Sequence, residues 1–331
     1  MDITPSGQAL GARVNGIDLA QPLSDSDFRS ILRALGEYGV LCFPRQTLDT
    51  DQLAAFGRRF GELEINVANA YHEPSHPEMM ILSNMKKDGK QIGANDAGQG
   101  WHTDMSYSRD IALANILHAQ HVPIRHGKPL GETQFRNMHA AYEDLPDTLK
   151  HKLEGRTATH DFAKFWDMMV AKPGSTRRPL TPEQRAKKPP VSQPIFRRHP
   201  ITGRMVLYAN VGYAMSIDGM DPQEGGEILD FLFRHQERAE YLYAHHWTVG
   251  DVLIWDNIGT MHNAIGDYLP DEPRYMRRIR SWQLWIMLGC CLRDDGELAL
   301  VTALRRRSRC SRTYCVRGGV PSSSISSSPP R

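Results

Sequence analysis

The chain has 331 residues, 40% of them hydrophobic and 24% charged, which is enough apolar material to bury a core in one large domain or two small ones. Its 40 basic and 38 acidic residues leave a formal charge of +2, so no charge excess favours nucleic acid or an anionic membrane as partner. Met1–Leu10 has no basic segment followed by an apolar core, and no apolar run approaches the roughly 20 residues of a membrane span. A soluble, cytoplasmic protein is expected.

In chain order, Ser24 to Asp27 resembles a capping box, and Phe28, Ile31, Leu32 and Leu35 follow at helical spacing, which predicts an amphipathic helix. Gly39 opens the apolar run Val40 to Phe43, read as a buried strand stopped by Pro44. Thr50 is read as the cap of a second helix carrying Leu53, Phe56 and Phe60. From about residue 100, short apolar or alternating runs dominate: Ile111 to Leu117, Met205 to Val211, Tyr241 to Trp247 and Val252 to Trp255. Turn residues separate several of them, so an all-β core is expected rather than a doubly wound sheet. Lys172 to Pro194 reads as a long surface loop of the kind that covers active sites. One helix interrupts the strands, with Asp221 as N-cap, Pro222 first, Glu224 at N3, and Ile228, Leu229, Leu232 and Phe233 as its buried stripe.

From Ser281 periodicity is lost, and Arg305 to Arg309 leads into a Ser/Pro-rich end that is expected to be disordered, its basic run solvated. Of the five cysteines only Cys42 precedes residue 290, which is neither a disulfide framework nor a zinc ribbon. Cys310 and Cys315 leave a metal-binding option in the tail, but a reducing compartment is the simpler reading.

The chemistry is concentrated in Trp101 to Tyr107. His102 and Asp104 stand two residues apart, so on a strand both side chains would leave the same face and reach one metal ion. His262, far downstream, supplies a third ligand, and two histidines with one carboxylate form the facial triad that binds Fe(II) with positions left open. Arg274 and Arg278 follow His262 by 12 and 16 residues. His118 with His121, and His245 with His246, lack the glutamate of a zinc-protease motif and are read as structural or exposed.

These segments resemble the taurine/2,4-dichlorophenoxyacetate dioxygenase family of Fe(II)- and 2-oxoglutarate-dependent oxygenases. The likeness is carried by Trp101 to Asp104, Pro129 to Phe135, Ala140 to Pro146, Arg198 to Gly203, Trp255 to Asn257, His262, Asp267 to Pro270 and Arg274 to Arg278. It spans roughly residues 1–280, one dioxygenase domain, and leaves 281–331 as an atypical tail. The resemblance implies an α+β protein with a mainly β core, a double-stranded β-helix (jelly roll) with flanking helices.

It further implies His102, Asp104 and His262 as iron ligands, with 2-oxoglutarate chelating the iron and its far carboxylate held by Arg274 and Thr133. Arg278 would meet an anionic group of the substrate, a sulfonate or carboxylate, although the run Arg277, Arg278, Arg280 leaves the register open by one residue. The implied reaction couples decarboxylation of 2-oxoglutarate, to succinate and CO2, with hydroxylation of the substrate. Next to a heteroatom that product collapses with loss of a leaving group. The expected partners are a small organic anion and O2, with neither nucleic acid nor membrane among them and a homo-oligomeric state left open.

Three departures argue against strict taurine recognition. Where taurine-cleaving members carry a His and a Tyr, this chain has Asn66 and Asn69, and the Asn four residues before the first ligand is Gly98. Tyr213 falls where an aromatic pocket wall is expected, with Phe162 or Phe165 as a second, which suits a larger or more apolar anion. Family members continue past the second arginine with a short strand and a Gly-Asp-x-Pro-like ending, whereas Ser281 to Cys291 starts unrelated sequence. A frameshift is the expected cause. Two alternatives stay open at this level: a zinc hydrolase on the same ligands, and a degenerate metal- and 2-oxoglutarate-binding protein.

Overall fold

Two capped helices and two facing sheets position everything that follows. In the computed structural model, residues 1–282 are described apart from 66–70, 173, 174 and 176. They lie in one compact unit, Met1–Leu284. The Asp25–Tyr38 helix starts where Ser24 accepts a hydrogen bond from the Asp27 N–H, and it buries Phe28, Ile31, Leu32 and Leu35 as its spacing predicts. The Thr50–Arg58 helix is capped one residue earlier than expected. Asp49, not Thr50, accepts from the Gln52 N–H while the Gln52 side chain bonds back, because an ionised carboxylate at this position completes a reciprocal box. Asp221 caps the Pro222–Gln236 helix as expected, with Leu229 and Leu232 buried and Ile228 and Phe233 half-buried.

The large sheet has eight strands in the order Asp2–Pro5, Ala12–Asn15, Val40–Phe43, Val252–Asp256, Ala112–His121, Tyr275–Trp282, His76–Ser83, His72–Glu73. Its pairings are antiparallel except for Ala12–Asn15 beside Val40–Phe43. A small sheet places Thr133–Asn137 between Leu242–His245 and Thr260–Ala264. Phe135 and Tyr243 of the small sheet share one buried cluster with Leu117, Leu253, Trp255 and Met276 of the large one. Two facing antiparallel sheets around one core, with helices outside, make the jelly roll that the resemblance implies.

Strand alternation settles the arginine register. Arg277 points out of the barrel, donating to Thr50 Oγ1 (3.1 Å) and the Leu48 carbonyl, and Ile279 packs on Gly57 of the same helix. Met276, Arg278 and Arg280 therefore face inward. The strand runs to Trp282, so the boundary expected at residue 280 falls inside it; the rest of the expected tail lies outside the described residues.

Two further readings need correction. Lys172 to Pro194 is not a plain loop, since it contains the Pro182–Ala186 helix and the Val191–Pro194 strand. Residues 102–107 are not a regular strand: His102 forms a single β-bridge and the chain then turns, with Met105 at φ 61°. Among the described residues no helix is long and apolar enough to cross a membrane.

Phe43 is fully buried and meets Phe56 edge to face (ring centroids 5.7 Å apart), joining the large sheet to the Thr50–Arg58 helix. Phe43→Ala is expected to cost about 3–5 kcal/mol of stability, read from urea unfolding; a loss below about 1 kcal/mol would show that this junction is not packed as described.

Candidate active site

His102 and His262 are joined through their backbones. The His102 N–H donates to the His262 carbonyl (3.1 Å) and the His262 N–H to the His102 carbonyl (2.9 Å). An antiparallel pair that exchanges both bonds sends its two side chains to the same side, and here the imidazole centroids are 4.2 Å apart. The turn after His102 brings Asp104 back, with Oδ1 3.5 Å from His102 Nε2 and Oδ2 3.8 Å from His262 Nε2. All three side chains are buried, and their donor atoms lie within 4.8 Å of one another, a grouping able to hold a metal ion. Gly212 packs so closely on this pair that a Cβ there would sit 2.8 Å from the His102 Cβ.

The surroundings set the state of each donor. His102 Nδ1 lies 2.7 Å from the Gly100 carbonyl, so that nitrogen donates and the ring is oriented with Nε2 towards Asp104. His262 has no such partner for its buried Nδ1. Burial, then the neighbouring His102, holds its pKa well below the ordinary histidine value, so it is a neutral imidazole.

Burial also opposes the charge on Asp104, but Arg280 (Nη1 3.2 Å from Oδ1) and Arg278 (Nη1 3.6 Å from Oδ2) outweigh it and hold the carboxyl well below its usual range. Arg280 is shared with Glu64 at 2.5 Å. Asn257 Nδ2 donates to the Asp104 carbonyl (2.8 Å), and Thr103 Oγ1 to the Thr260 carbonyl (3.2 Å), so the turn is tied down at two points.

Arg274 is buried just before the last strand. Its N–H donates to Asn84 Oδ1 (2.9 Å), and its carbonyl accepts from Ser83 Oγ (2.7 Å). Its guanidinium lies 5.7 Å from the Tyr268 ring centroid and against Gly131, where a Cβ would be 2.9 Å from Nε. Nε has no hydrogen-bond partner, no carboxylate among the described residues lies within ion-pair reach, and burial pushes the pKa down. Thr133, two residues after Gly131, is buried and accepts from Trp247 Nε1 (3.1 Å), which leaves its own O–H to donate.

Aromatic rings continue away from the triad. Phe165 lies 4.7 Å and Tyr213 6.2 Å from the His102 ring, Tyr107 4.8 Å from Tyr213, and Phe162 4.9 Å from Tyr107. Lys188, from the Lys172 to Pro194 segment, sets its Nζ 4.4 Å from the Phe162 and 5.0 Å from the Tyr107 ring centroid. Burial pushes the Tyr107 hydroxyl up to about 12, so it stays a neutral phenol. Asn66 and Asn69 lie outside the described residues.

The sequence reading passed over Tyr107 and Lys188 and gave Arg280 no role. Arg280 was within reach, because the alternation that turns Arg278 inward turns Arg280 inward too. No local pattern marks Lys188.

Two other buried groups carry metal-ligating atoms: Cys42 with His245 and Asp251, and His139 with His199 and Asp256. In the first, burial and then Asp251 push the Cys42 thiol up to about 12. Without a metal it is therefore a protonated hydrogen-bonding group beside the His245–Asp251 pair.

The profile of the family described as Taurine catabolism dioxygenase TauD, TfdA family matches residues 2–280. The chain belongs to this TauD/TfdA family. It is 32% identical over 291 residues to pentalenolactone F synthase of Streptomyces arenae, covering 85% of this chain and 95% of that protein. It is 34% identical over 270 residues to the alpha-ketoglutarate-dependent 2,4-dichlorophenoxyacetate dioxygenase of Cupriavidus pinatubonensis, covering 78% and 90%. Among solved structures, AAD-2 in complex with Mn(II) and N-oxalylglycine superposes with a TM-score of 0.72 at 29% identity, covering 86% of this chain and 98% of that one. A taurine dioxygenase from Burkholderia xenovorans gives 0.68 at 28%, covering 85% and 89%. This TauD/TfdA protein is thus a non-haem Fe(II)/2-oxoglutarate-dependent dioxygenase, and the hydrolase alternative falls.

Arg280→Met removes the cation that Asp104 and Glu64 share and leaves both carboxylates buried. The metal-free protein should lose about 3–5 kcal/mol in urea unfolding at neutral pH, and a loss under about 1 kcal/mol would contradict the ion-pair geometry.

Proposed function

We propose that His102, Asp104 and His262 hold the Fe(II), that Arg274 and Thr133 hold the far carboxylate of 2-oxoglutarate, and that the substrate is an anion with an aromatic or otherwise bulky apolar body. The observation that carries the reading is the convergence of three buried donor atoms, within 4.8 Å, on one backbone bridge. The donor set fits a divalent iron. Two imidazoles and one carboxylate that is kept ionised give the mixed N/O set of a facial triad.

Arg274 fits the co-substrate. The guanidinium is buried beside Tyr268, its Nε has no hydrogen-bond partner and no carboxylate among the described residues pairs with it; a planar fork grips an incoming carboxylate through two parallel hydrogen bonds. When bound, Fe(II) with 2-oxoglutarate and O2 supplies the oxidising power for C–H hydroxylation, with succinate and CO2 released. The protein's own residues orient, neutralise and exclude water. Thr133 donates its hydroxyl hydrogen beside Arg274, and the aromatic wall keeps the oxidised carbon in an apolar surround.

Arg278 supports an anionic substrate. Arg280 is already engaged by Asp104 and Glu64, whereas the partners of Arg278 among the described residues are the more distant Asp104 oxygen and Met80 Sδ (3.0 Å). The rings of Phe165, Tyr213, Tyr107 and Phe162 are more surface than a small aminosulfonate can use. They suit the aryloxyalkanoate named for one relative, or another apolar carboxylate, better than taurine. A cytoplasmic setting, where Fe(II) and the Cys42 thiol remain reduced, completes the proposal.

Anaerobic addition of Fe(II) and 2-oxoglutarate should produce the visible charge-transfer band of the chelate. Arg274→Met should then weaken 2-oxoglutarate binding by roughly 30-fold or more, the effect of truncating one partner of a buried charge pair. No band in the parent protein would refute the triad, and an unchanged affinity in the variant would refute Arg274. Succinate release should be greater with 2,4-dichlorophenoxyacetate or 2-phenoxypropionate than with taurine, and a preference for taurine would overturn the substrate class.

A further inference from the structure

The cluster of His139, His199 and Asp256 has the same two imidazoles and one carboxylate as the triad, with donor atoms within 4.8 Å and all three side chains buried. Its hydrogen bonding shows a different use. His199 Nδ1 faces the backbone N–H groups of Ile201 (3.3 Å) and Thr202 (3.2 Å), so it accepts and carries no proton. The ring proton therefore sits on Nε2, which makes a close but bent contact with Asp256 Oδ2 at 3.0 Å. His139 Nδ1 lies 2.9 Å from the Met205 carbonyl and donates to it, which leaves Nε2 as a bare, buried lone pair. A metal ion here would have to strip His199 Nε2 while Nδ1 still faced two N–H donors, which requires an imidazolate.

We infer that His199 is a positioning residue for the metal centre and acts through Asp256. Asp256 is fully buried; burial opposes its charge, and His199, His139 and the Ile258 N–H together outweigh it. Its Oδ1 accepts from the Ile258 N–H (2.9 Å) and its Oδ2 from the Gly259 N–H (2.9 Å), while Thr260 Oγ1 donates to its carbonyl (2.6 Å). These bonds define the turn between the Val252–Asp256 and Thr260–Ala264 strands.

Both arms of the triad are mounted on that turn. Asn257 holds the Asp104 carbonyl, the Thr260 carbonyl holds Thr103, and Thr260 begins the strand that carries His262. A change in the Asp256 rotamer would therefore shift all three donor atoms, although neither His199 nor Asp256 touches the metal. Partners that orient metal ligands are worth roughly 10–100-fold in affinity when removed.

The inference rests on the assignment of His102, Asp104 and His262 as the ligands, and the test separates the two. Co(II) is titrated anaerobically into the full chain with 2-oxoglutarate present, and its visible ligand-field spectrum is followed for the parent and for His262→Ala, His199→Asn and His199→Gln. Asn can still accept from the Ile201 and Thr202 amides but cannot reach Asp256, whereas Gln can present an N–H at the position of Nε2.

The expected result is about 10-fold weaker Co(II) binding and an altered spectrum for His199→Asn, with His199→Gln within about 3-fold of the parent, compared at equal folded fraction by circular dichroism. Parent-like affinity and spectrum in His199→Asn would overturn the inference, as would equal weakening in both variants. Unchanged binding in His262→Ala would instead overturn the ligand assignment itself. If His199→Asn does not fold, Asp256→Asn, which keeps the side-chain volume, is titrated in its place with the same two readings.

Discussion

Two backbone hydrogen bonds, between His102 and His262, join segments 160 residues apart in sequence and fix where everything else in the cavity must stand. Because the bonds are exchanged between the same two residues, the imidazoles must project side by side. The turn at Met105 then needs only to return Asp104 to them. Side-chain anchors on either flank, Asn257 to the Asp104 carbonyl and Thr103 to the Thr260 carbonyl, keep that turn from relaxing. The bridge connects the loop to the small sheet, and the facing large sheet contributes the arginines, so the site exists only where the two sheets close on each other.

Charge explains why such a site is built for anions. Arg278 and Arg280 are balanced by Asp104 and Glu64 before any metal arrives, so a divalent ion adds positive charge that these carboxylates do not offset. Arg274 and Lys188 add more, both without a carboxylate of their own among the described residues. In a buried cavity this imbalance is expensive until carboxylates enter. The two carboxylates of 2-oxoglutarate and the anionic group of a substrate are what the cavity lacks. On the proposed reading, the aromatic rings between the triad and Lys188 would choose among anions by the apolar surface they carry.

Local chemistry was legible from the residues. The helix beginning at Ser24 and the one beginning at Asp221 follow from capping side chains and apolar spacing, both properties of a dozen neighbouring residues. That His102, Asp104 and His262 would come together was legible too, because they stand in segments that resemble a known family. What the sequence hid is non-local. Asp49 outcompetes Thr50 as a cap only because Gln52 closes the box, and Arg277 differs from Arg278 only through a register that shifts at Tyr275. His102 and Asp104 do not meet through strand alternation: one bridge aligns the histidines, and the chain then turns to present Asp104. Lys188 is brought beside Phe162 and Tyr107, and His199 beside Asp256, by tertiary contacts alone.

The central claim is that the bridge between His102 and His262 mounts a metal centre whose co-substrate is completed by Arg274. A crystal structure of the protein loaded with Mn(II) and N-oxalylglycine, with the metal located by anomalous scattering, tests it most directly. The account expects one strong peak within coordination distance of His102 Nε2, an Asp104 oxygen and His262 Nε2, and the far carboxylate of the analogue paired with the Arg274 guanidinium. A metal at Cys42, His245 and Asp251 instead, or an analogue carboxylate that leaves Arg274 unpaired, would contradict it.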